Sequence, residues 1–443
     1  MKSALTAKLL QRLAIGGQDV LMAEINRAVR GTMDVTPADS YKWQYIERVI
    51  ADTAKLYGYS EIRIPVFEYT EVFRRSVGET TDVVQKEMYT FDDMGGRSIT
   101  LRPEGTAGVV RAFLENGLHN EPMPQKLYYI LSCYRYEKPQ SGRLREFHQF
   151  GCECFGAALP RADAEIIKLV NDVITRLGVK DYVSLELNSI GCKKCRTDFL
   201  EALKKYYEPY KSELCETCLD RLERNPMRLL DCKSPVCSAI AAGAPDITDY
   251  LCEECAEHFE GVKSALDAYG IDYKINPKIV RGLDYYNRTV FEFVTDKLGA
   301  QATVSGGGRY DGLVEQMNGP SMPALGFGMG LERMIMLMEN VGAPFPQRDV
   351  CDIYIGSAGS GAEAKAAQIA DYLRSIGIYA VTDIVGRSVK AQMKYAGRLG
   401  ARYTAIIGDS ELESGYVNVK NMESGETVQV SLDEKSVLAA IKQ

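Results

Sequence analysis

The sequence has no apolar run long enough to cross a lipid bilayer, and it shows no plain secretory signal. We therefore expect no membrane partner, and twelve cysteines in such a chain indicate a reducing cytoplasm rather than a framework of disulfides. The chain also lacks an excess of positive charge, since its formal net charge is −7. That balance argues only weakly against nucleic acid, because a chain of 443 residues can bind it through local patches.

Two common nucleotide-binding motifs are also missing. The chain has neither GxxxxGK[ST] nor a clean GxGxxG followed by a ribose-binding acid. Gly326, Gly328 and Gly330 nevertheless leave one face of a short apolar strand without side chains, directly before a predicted helix that begins at Leu331. Helix N-termini bind anions, and Arg333 lies in the first turn of this helix. The segment therefore predicts a site at which arginines, and not a glycine-rich loop, hold the phosphates of a nucleotide.

A cation and two phenols stand directly before a strand-like run in residues 281–293, which read RGLDYYNRTVFEF. Arginine is rarely buried without a partner, and the glycine beside it lets a ligand approach the backbone. We expect Arg281 to face an anion, and Tyr285 and Tyr286 to wall a small substrate or to hydrogen-bond to it. A surface turn that enters a strand is the alternative.

Residues 128–155 predict two strands, 128–137 and 147–155, joined by a polar loop. Alternation places Arg135 and Glu137 on one face of the first strand. On one face of the second strand it places Phe147, Gln149, Gly151 and Glu153. An arginine can bind a phosphate, a phenylalanine can stack on a flat ring, and a glycine leaves room above the sheet. The pattern predicts the floor of a ligand site, with a hairpin whose polar face is merely solvated as the alternative.

These three segments resemble the second and third signature motifs of class II aminoacyl-tRNA synthetases, with the RGLDYY element of the histidine enzymes between them. From about residue 30 to its C-terminus the chain is similar to bacterial members of the histidyl-tRNA synthetase family. Further motifs in the family's order are RGTMDVTP at 30–37, IRIPVFE at 62–68, LRPEGTAG at 101–108 and SGGGRYDGL at 305–313. RGLDYY is specific to the histidine family, whereas the other motifs indicate the class alone.

The resemblance implies a two-step reaction at one site. The carboxylate of histidine attacks the α-phosphorus of ATP to give histidyl-adenylate and pyrophosphate, and the acyl group then passes to the 3′ end of tRNA(His). Arg135 and Arg281 are implied as the catalytic residues, one on each side of the α-phosphate. The implied ATP-binding residues are Arg135, Glu137, Arg143, Phe147 and Arg333. Phe147 would stack on adenine and Arg333 would reach the γ-phosphate, while Mg²⁺ would screen the triphosphate.

The resemblance also implies a set of residues that bind histidine. Glu104, Thr106 and Gln149 match positions that hold the α-ammonium group. Glu153 and Tyr286 match positions that read the two imidazole nitrogens. The full implied set is Glu104, Gly105, Thr106, Arg135, Gln149, Glu153, Arg281, Tyr285 and Tyr286.

The implied fold class is α+β. It consists of a class II synthetase core, in which helices flank an antiparallel sheet, with an inserted Cys-rich helical domain and a C-terminal α/β anticodon-binding domain. We expect the core at residues 30–340, the insertion at 192–258 and the anticodon-binding domain at 349–443. Class II cores pair through the first motif, so we also expect a homodimer. Residues 1–29 depart from the family pattern and are expected to form a flexible extension, with a targeting or binding role as the alternative.

Eight of the twelve cysteines fall in one stretch and are paired in the sequence. The pairs are Cys192 and Cys195, Cys215 and Cys218, Cys232 and Cys237, and Cys252 and Cys255. Thiolates at such spacings are the usual ligands of tetrahedral zinc, so the pattern predicts structural zinc. Eight ligands could hold two ions, or four could hold one. Thiols without a metal are the alternative, since other members of the family have none here. The remaining cysteines are predicted to be ordinary strand residues: Cys133, Cys152, Cys154 and Cys351.

The implied activity is that of a histidine--tRNA ligase acting on L-histidine, ATP and tRNA(His). The alternative is a synthetase-like regulatory subunit of ATP phosphoribosyltransferase that no longer charges transfer RNA. Such paralogues typically lose the arginine of RGLDYY and the C-terminal domain, and this chain keeps both.

Overall fold

The computed structural model of the chain describes residues 27–78, 81, 83–299, 303–359 and 361–442. The chain divides into two compact units between Pro346 and Gln347. The extension expected at residues 1–29 falls outside the described residues up to position 26. No helix within the described ranges is long and apolar enough to span a membrane.

The first unit is built on one large sheet and one small sheet. Its described strands are β1 (Ser60–Glu61), β2 (Phe67–Tyr69), β3 (Thr90–Asp92), β4 (Ser98–Leu101), β5 (Gln125–Tyr134), β6 (Glu146–Phe155), β7 (Ser184–Ser189), β8 (Tyr273–Ile275), β9 (Asn287–Val294), β10 (Thr303–Arg309) and β11 (Ala324–Gly330). The large sheet has the order β1-β5-β6-β11-β10-β9-β7-β8, and the small sheet has the order β2-β4-β3. Neighbours in the large sheet run antiparallel except at its edges, where β1 joins β5 and β8 joins β7 in parallel. The predicted antiparallel core is confirmed.

Helices flank the large sheet, as predicted. The described helices of the first unit are α1 (Ser40–Leu56), α2 (Thr70–Val77), α3 (Thr106–Glu115), α4 (Pro160–Arg176), α5 (Lys193–Tyr207), α6 (Glu216–Arg224), α7 (Pro235–Ala242), α8 (Glu253–Ala268), α9 (Leu313–Gln316) and α10 (Leu331–Val341). Helix α1 buries Trp43, Ile46 and Ile50, whose spacing puts them on one face. Helix α10 ends at Gly342, which adopts the left-handed conformation that favours glycine.

The two faces of the large sheet pack differently. On one face, Phe150, Leu325 and Phe327 join the apolar sides of α1, α4, α8 and α10 in one core. On the other face, Tyr129 and Tyr310 belong to a second core, which includes residues of α3 and of the helices between β7 and β8. The second face carries the candidate site.

Strand β5 is shorter than the sequence predicted, because it ends at Tyr134 and not at Glu137. The amide of Tyr136 donates to the carbonyl of Glu87, 2.6 Å away, so the chain leaves the ladder with β6. Arg135 and Glu137 therefore lie past the end of the strand, and strand alternation does not position them.

The insertion between β7 and β8 consists of α5 to α8 with short 3₁₀ turns. Its last helix continues past residue 258 to Ala268, and Phe259, Val262 and Leu266 pack in the core of the large sheet.

The cysteines outside the insertion lie mostly where they were predicted. Cys133 is in β5, and Cys152 and Cys154 are in β6, all three buried. Cys351 is also buried, but it precedes its strand, so that prediction was wrong in detail.

The second unit alternates strands and helices. Its described elements are β12 (Ile353–Ser357), α11 (Ala362–Ser375), β13 (Ala380–Thr382), α12 (Val389–Leu399), β14 (Tyr403–Ile407), α13 (Asp409–Ser414), β15 (Tyr416–Asn421), β16 (Thr427–Ser431) and α14 (Glu434–Ile441). The sheet order is β13-β12-β14-β15-β16, in which β13, β12 and β14 are parallel and the last two strands antiparallel. Asp433 caps α14 by accepting hydrogen bonds from the amides of Lys435 and Ser436. This is the predicted C-terminal α/β domain.

A buried ion pair joins three elements of the first unit. The guanidinium of Arg309, at the end of β10, is fully buried and pairs with Asp163 of α4. His258 of α8 lies 3.2 Å from the same carboxylate. Burial acts to raise the pKa of Asp163, but His258 and Arg309 outweigh it and hold the pKa below its usual value. The pair is therefore ionised at neutral pH.

Replacing Asp163 by alanine should leave the buried Arg309 guanidinium with Asp311, whose Oδ1 lies 3.1 Å from its Nη1, as its remaining carboxylate partner among the described residues. We expect this loss to lower the free energy of unfolding by about 3 kcal/mol. Glu260→Ala is the control, because Glu260 is 70% exposed in its pair with Lys263 and its loss should cost under about 1 kcal/mol. Urea denaturation followed by circular dichroism measures both variants. Equally small losses would contradict a structural role for the buried pair.

Candidate active site

A cavity of about 190 Å³ opens over the middle of the large sheet. Its charged lining consists of Arg135, Glu137, Arg143, Arg281, Glu332 and Arg333. Phe147 and Gln149 also line it, so every residue predicted to bind ATP is in this one place. Because arginines outnumber carboxylates, the cavity suits a polyanion with a flat ring.

The floor of the cavity is formed by strand residues without side chains. Gly306 of β10 and Gly328 and Gly330 of β11 face it. A Cβ atom on Gly306 would lie 2.5 Å from Nη1 of Arg281, and one on Gly328 would overlap the amide of Gln149. The glycines predicted to thin out this strand therefore give functional side chains room to lie flat on the sheet.

Arg281 lies along this floor with a carboxylate partner. Its guanidinium pairs with Glu292 of β9, whose register partner across the ladder is Gly306. The guanidinium carbon also lies 5.7 Å from the centre of the Tyr286 ring. Arg281 is thus held inside the cavity, at the start of the turn that leads into β9.

The other arginines are fixed by carbonyls and carboxylates. Nε of Arg135 donates to the carbonyl of Pro103 at 2.8 Å, and its guanidinium carbon lies 5.4 Å from the centre of the Phe147 ring. Nη1 of Arg333 donates to the carbonyl of Thr303 at 2.7 Å. Arg143 pairs with Glu137. Their charges therefore converge on the cavity from three directions.

A second, fully buried group of polar side chains surrounds Glu153. Its Oε1 accepts hydrogen bonds from the hydroxyls of Thr106 at 2.8 Å and Tyr129 at 3.0 Å. Its Oε2 accepts one from the hydroxyl of Tyr310. Burial is the largest influence on the carboxyl and raises its pKa to about 8, although the hydroxyls act in the opposite direction. At neutral pH the carboxyl group of Glu153 is therefore mostly protonated.

Glu104 has a structural contact as well as its predicted position in the site. Its two carboxylate oxygens accept the amides of Thr106 and Ala107 at 2.8 and 2.7 Å, at the start of α3. Carboxylates are favoured at helix N-termini, so Glu104 fixes the loop that carries Gly105 and Thr106. A Cβ on Gly105 would overlap the ring of Tyr129.

Tyr285 and Tyr286 are both buried beside this group. Their ring centres lie 4.7 Å apart, and that of Tyr310 lies 5.4 Å from Tyr285 and 6.2 Å from Tyr286. The three phenols form an aromatic wall next to Glu153.

The two groups of side chains join through residues that belong to both. Arg281 lines the cavity and lies over Tyr286, while Arg135 lines the cavity and bonds to the residue before Glu104. Gln149 also lines the cavity and lies on β6, as does Glu153. All the predicted histidine-binding residues thus lie in one continuous region on one face of the sheet.

Sequence reasoning missed several residues of this region. The hydroxyls of Tyr310 and Tyr129 donate hydrogen bonds to Glu153. Glu292 forms an ion pair with Arg281. Glu332 accepts hydrogen bonds from the backbone amide and from Nδ1 of His148, each at 2.9 Å. Tyr310 lies within SGGGRYDGL and Glu292 within the strand after RGLDYY, so both lay in quoted motifs. These contacts depend on the order of the strands in the sheet, which no sequence motif contains.

The eight cysteines of the insertion form two groups of four. One group is Cys192, Cys195, Cys252 and Cys255, and the other is Cys215, Cys218, Cys232 and Cys237. Within each group all the sulfur atoms lie within 4.8 Å of one another. Among the described residues these are the groups of His, Cys, Asp and Glu side chains close enough to hold a metal ion.

Comparison with known proteins gives matches along nearly the whole chain. A family profile described as "Histidyl-tRNA synthetase" matches residues 31–204 and 236–334, and one described as "Anticodon binding domain" matches residues 350–441. The histidine--tRNA ligase of Acetivibrio thermocellus is 55% identical over 409 residues, which are 92% of this chain and 98% of that protein.

Two solved structures have a similar fold. Apo histidyl-tRNA synthetase of S. aureus matches with a TM-score of 0.79 and 40% identity, over 94% of this chain and 100% of that one. An ATP phosphoribosyltransferase regulatory subunit/histidyl-tRNA synthetase from Bacillus halodurans matches with a TM-score of 0.63, over 86% of this chain and 98% of that one. At 22% identity this second likeness shows the fold alone.

The raised pKa of Glu153 predicts a pH dependence of stability. The folded chain binds this proton more tightly than the unfolded chain, in which the pKa returns towards 4.5. Its contribution is therefore complete below pH 4.5 and is lost as the pH rises through about 8. Glu153→Gln keeps the shape but cannot ionise, so its stability should fall less across this window. Thermal unfolding at a series of pH values measures the difference, and parallel profiles for the two proteins would contradict the assignment.

Proposed function

The chain belongs to the histidyl-tRNA synthetase family, and we propose that it joins L-histidine to tRNA(His) in a reaction driven by ATP. It covers nearly the full length of the relatives that are named histidine--tRNA ligases. The observation that carries the proposal is that an arginine-lined cavity continues into a small buried polar pocket on one sheet face. A nucleoside triphosphate and a small zwitterion can thus bind next to each other.

In the first step, an oxygen of the histidine carboxylate forms a bond to the α-phosphorus of ATP, and the bond to pyrophosphate breaks. Negative charge builds on the phosphate oxygens in the transition state, and fixed cations stabilise it. Arg135 and Arg281 are the catalytic residues of this proposal, because both line the cavity at its junction with the buried pocket. On binding, the α-phosphate replaces Glu292 as the partner of Arg281.

ATP occupies the rest of the cavity. Phe147 stacks on adenine, on the ring face that Arg135 leaves open, while Arg143 and Arg333 bind the outer phosphates. Glu137 holds Arg143 in place through their ion pair.

Histidine occupies the buried pocket. Its α-ammonium group donates to Glu104, Thr106 and Gln149, with Gly105 leaving space beside them. Glu153 and Tyr286 contact the imidazole nitrogens, and Tyr285 closes the wall. An imidazole N–H needs an acceptor, and a carboxyl oxygen of Glu153 supplies it.

Mg²⁺ is proposed as the ion that screens the triphosphate charge. The carboxylates that line the cavity are Glu137 and Glu332, and both already have protein partners. Bound there, Mg²⁺ would neutralise part of the triphosphate charge, and Glu137 and Glu332 would be the lining carboxylates available to it.

The second step transfers the histidyl group to a hydroxyl at the 3′ end of tRNA(His) and releases AMP. The C-terminal unit is proposed to bind the anticodon region, since it matches the anticodon-binding family. Lys390, Lys394 and Arg398 are exposed along α12 and can meet phosphates there.

A homodimer is also proposed, through the first class II motif. Phe67 and Tyr69 of β2 and Phe91 of β3 are exposed apolar side chains on the small sheet, close in sequence to that motif. A monomeric mass in light scattering would contradict this.

The cytoplasmic location stays a prediction. Structural zinc in the insertion is part of the proposal and is assigned below.

Pyrophosphate exchange into ATP, measured with each of the twenty amino acids in turn, tests the activity. Histidine alone should support exchange, and tRNA should then be charged with histidine alone. A folded chain that binds histidine but supports no exchange would instead fit the regulatory-subunit alternative.

Replacing Arg281 by alanine should remove stabilisation of the developing phosphate charge. We expect kcat for pyrophosphate exchange to fall by about a hundredfold, or about 3 kcal/mol. Arg281→Lys keeps the positive charge but loses the planar guanidinium group, so its kcat should lie between those of the wild-type chain and Arg281→Ala. Arg402→Ala is the control, because Arg402 is 61% exposed and lies in the second unit. Normal exchange by the Arg281→Ala variant would refute the assignment.

A further inference from the structure

We propose that the insertion holds two separate zinc ions, each bound by four thiolates, and that the ion at its base fixes the turn that carries Tyr285 and Tyr286. The base site is defined as Cys192, Cys195, Cys252 and Cys255. The tip site is defined as Cys215, Cys218, Cys232 and Cys237. The link from the base site to histidine binding rests on the proposed function, whereas the metal assignment does not.

The sulfur geometry fits two tetrahedral ions. Zinc–sulfur bonds of about 2.3 Å give sulfur–sulfur edges of about 3.8 Å in a tetrahedron. In the base site, Cys192 lies 3.6 Å from Cys195 and 3.9 Å from Cys252 by sulfur–sulfur distance. In the tip site, Cys215 lies 4.0 Å from Cys232. These distances are far too long for disulfides, and all eight cysteines are free.

The backbone around the cysteines is arranged to stabilise thiolates. Cys192, Cys215 and Cys252 are the residues directly before α5, α6 and α8, where helix N-termini favour negative charge. In addition, one backbone amide donates a hydrogen bond to a sulfur across each site. The amide of Cys252 lies 3.1 Å from the sulfur of Cys195, and that of Cys215 lies 3.3 Å from the sulfur of Cys237. Hydrogen bonds of this kind stabilise the negative charge on thiolates that bind a metal.

The two sites are nested along the chain. The base site joins the beginning of the insertion to its last helix, and the tip site closes a shorter loop inside it. The histidyl-tRNA synthetase family match skips residues 205–235, which hold three of the tip cysteines. Small helical segments seldom bury enough apolar surface to fold alone, and metal binding supplies the missing free energy.

Arg288 connects the base site to the candidate active site. Its amide donates to the carbonyl of Gly191 at 2.9 Å, and its carbonyl accepts the amide of Ile190 at 2.8 Å. Its guanidinium pairs with Glu254, which lies between Cys252 and Cys255. Arg288 is thus bonded to both cysteine-bearing ends of the insertion, two residues after Tyr286.

The conformation of this turn needs such support. Arg288 has a φ of 50°, which is unfavourable for a residue with a side chain. Gly191 has a φ of 61°, and a Cβ there would lie 2.5 Å from the Cβ of Cys195. A strained residue keeps its conformation only where its surroundings fix it. The zinc ion does this by holding Gly191 and Glu254 in place, so Cys192, Cys195, Cys252 and Cys255 act as positioning residues for Tyr285 and Tyr286.

Metal content is the first measurement, made on the full chain purified from zinc-supplemented cells with reduced thiols. We expect two zinc ions per chain, one in the Cys252→Ser/Cys255→Ser variant and one in the Cys232→Ser/Cys237→Ser variant. Cys351→Ser is the control and should keep two, because a serine hydroxyl can replace the 3.2 Å contact from its sulfur to the carbonyl of Ile353. Cobalt in place of zinc should give the absorption of tetrahedral cobalt thiolate. One ion per chain, no metal, or iron would overturn the assignment.

Amide hydrogen exchange tests the link to the active site without any activity assay. Loss of the base ion should speed exchange of the Arg288 amide, whereas loss of the tip ion should leave that amide protected. In pyrophosphate exchange, the base variant should raise KM for histidine roughly tenfold or more, with a smaller change for ATP. Should the serine variants fold poorly, graded removal of zinc from the wild-type chain by a chelator gives the same comparison, with recovery on adding zinc back.

Unchanged protection of Arg288 after loss of the base ion would overturn the positioning role. A wild-type chain that supports no exchange with histidine would refute the proposed function, but metal content and amide protection would still decide this inference.

Discussion

The absence of side chains along the middle of the large sheet is the constraint on which the candidate site depends. At Gly306, Gly326 and Gly328, a Cβ atom would collide with Arg281, Glu153 and Gln149 respectively. These three side chains lie flat on the sheet because β10 and β11 leave the space above it empty. Strand β11 continues directly into α10, whose first turn carries Arg333. Phosphate-binding and amino-acid-binding groups thus share one floor, and a bond between the two ligands can form there.

Charges in the site are held in pairs that a ligand can replace. Arg281 pairs with Glu292, and Arg143 pairs with Glu137. Both arginine side chains keep some contact with solvent, so an incoming phosphate can replace the carboxylate partner. Glu153 is different, because it is fully buried among hydroxyls and its pKa is raised to about 8. The site is therefore organised around ion pairs whose members a substrate can replace, beside a core that includes the buried Arg309–Asp163 pair.

Much of this could be predicted from the sequence, for identifiable reasons. Period-two alternation and glycine spacing predicted β6 and β11, and RGLDYY predicted a ligand-facing arginine, because these features are local. The exit of the chain from β5 at Tyr134 was missed, since the carbonyl that captures Tyr136 belongs to the distant Glu87. Tyr310 and Glu292 were missed for the same reason. Cysteine spacing predicted zinc ligands but left one or two ions open, and only the folded insertion separates the eight sulfurs into two groups.

The central claim is that Arg135 and Arg281 lie on either side of the phosphate that histidine attacks. A crystal structure of the chain with histidine and a non-hydrolysable ATP analogue tests this most directly. The account predicts that Arg281 leaves Glu292 and that both guanidinium groups contact the α-phosphate, with the imidazole beside Glu153. An α-phosphate bound elsewhere, with Arg281 still paired to Glu292, would contradict it.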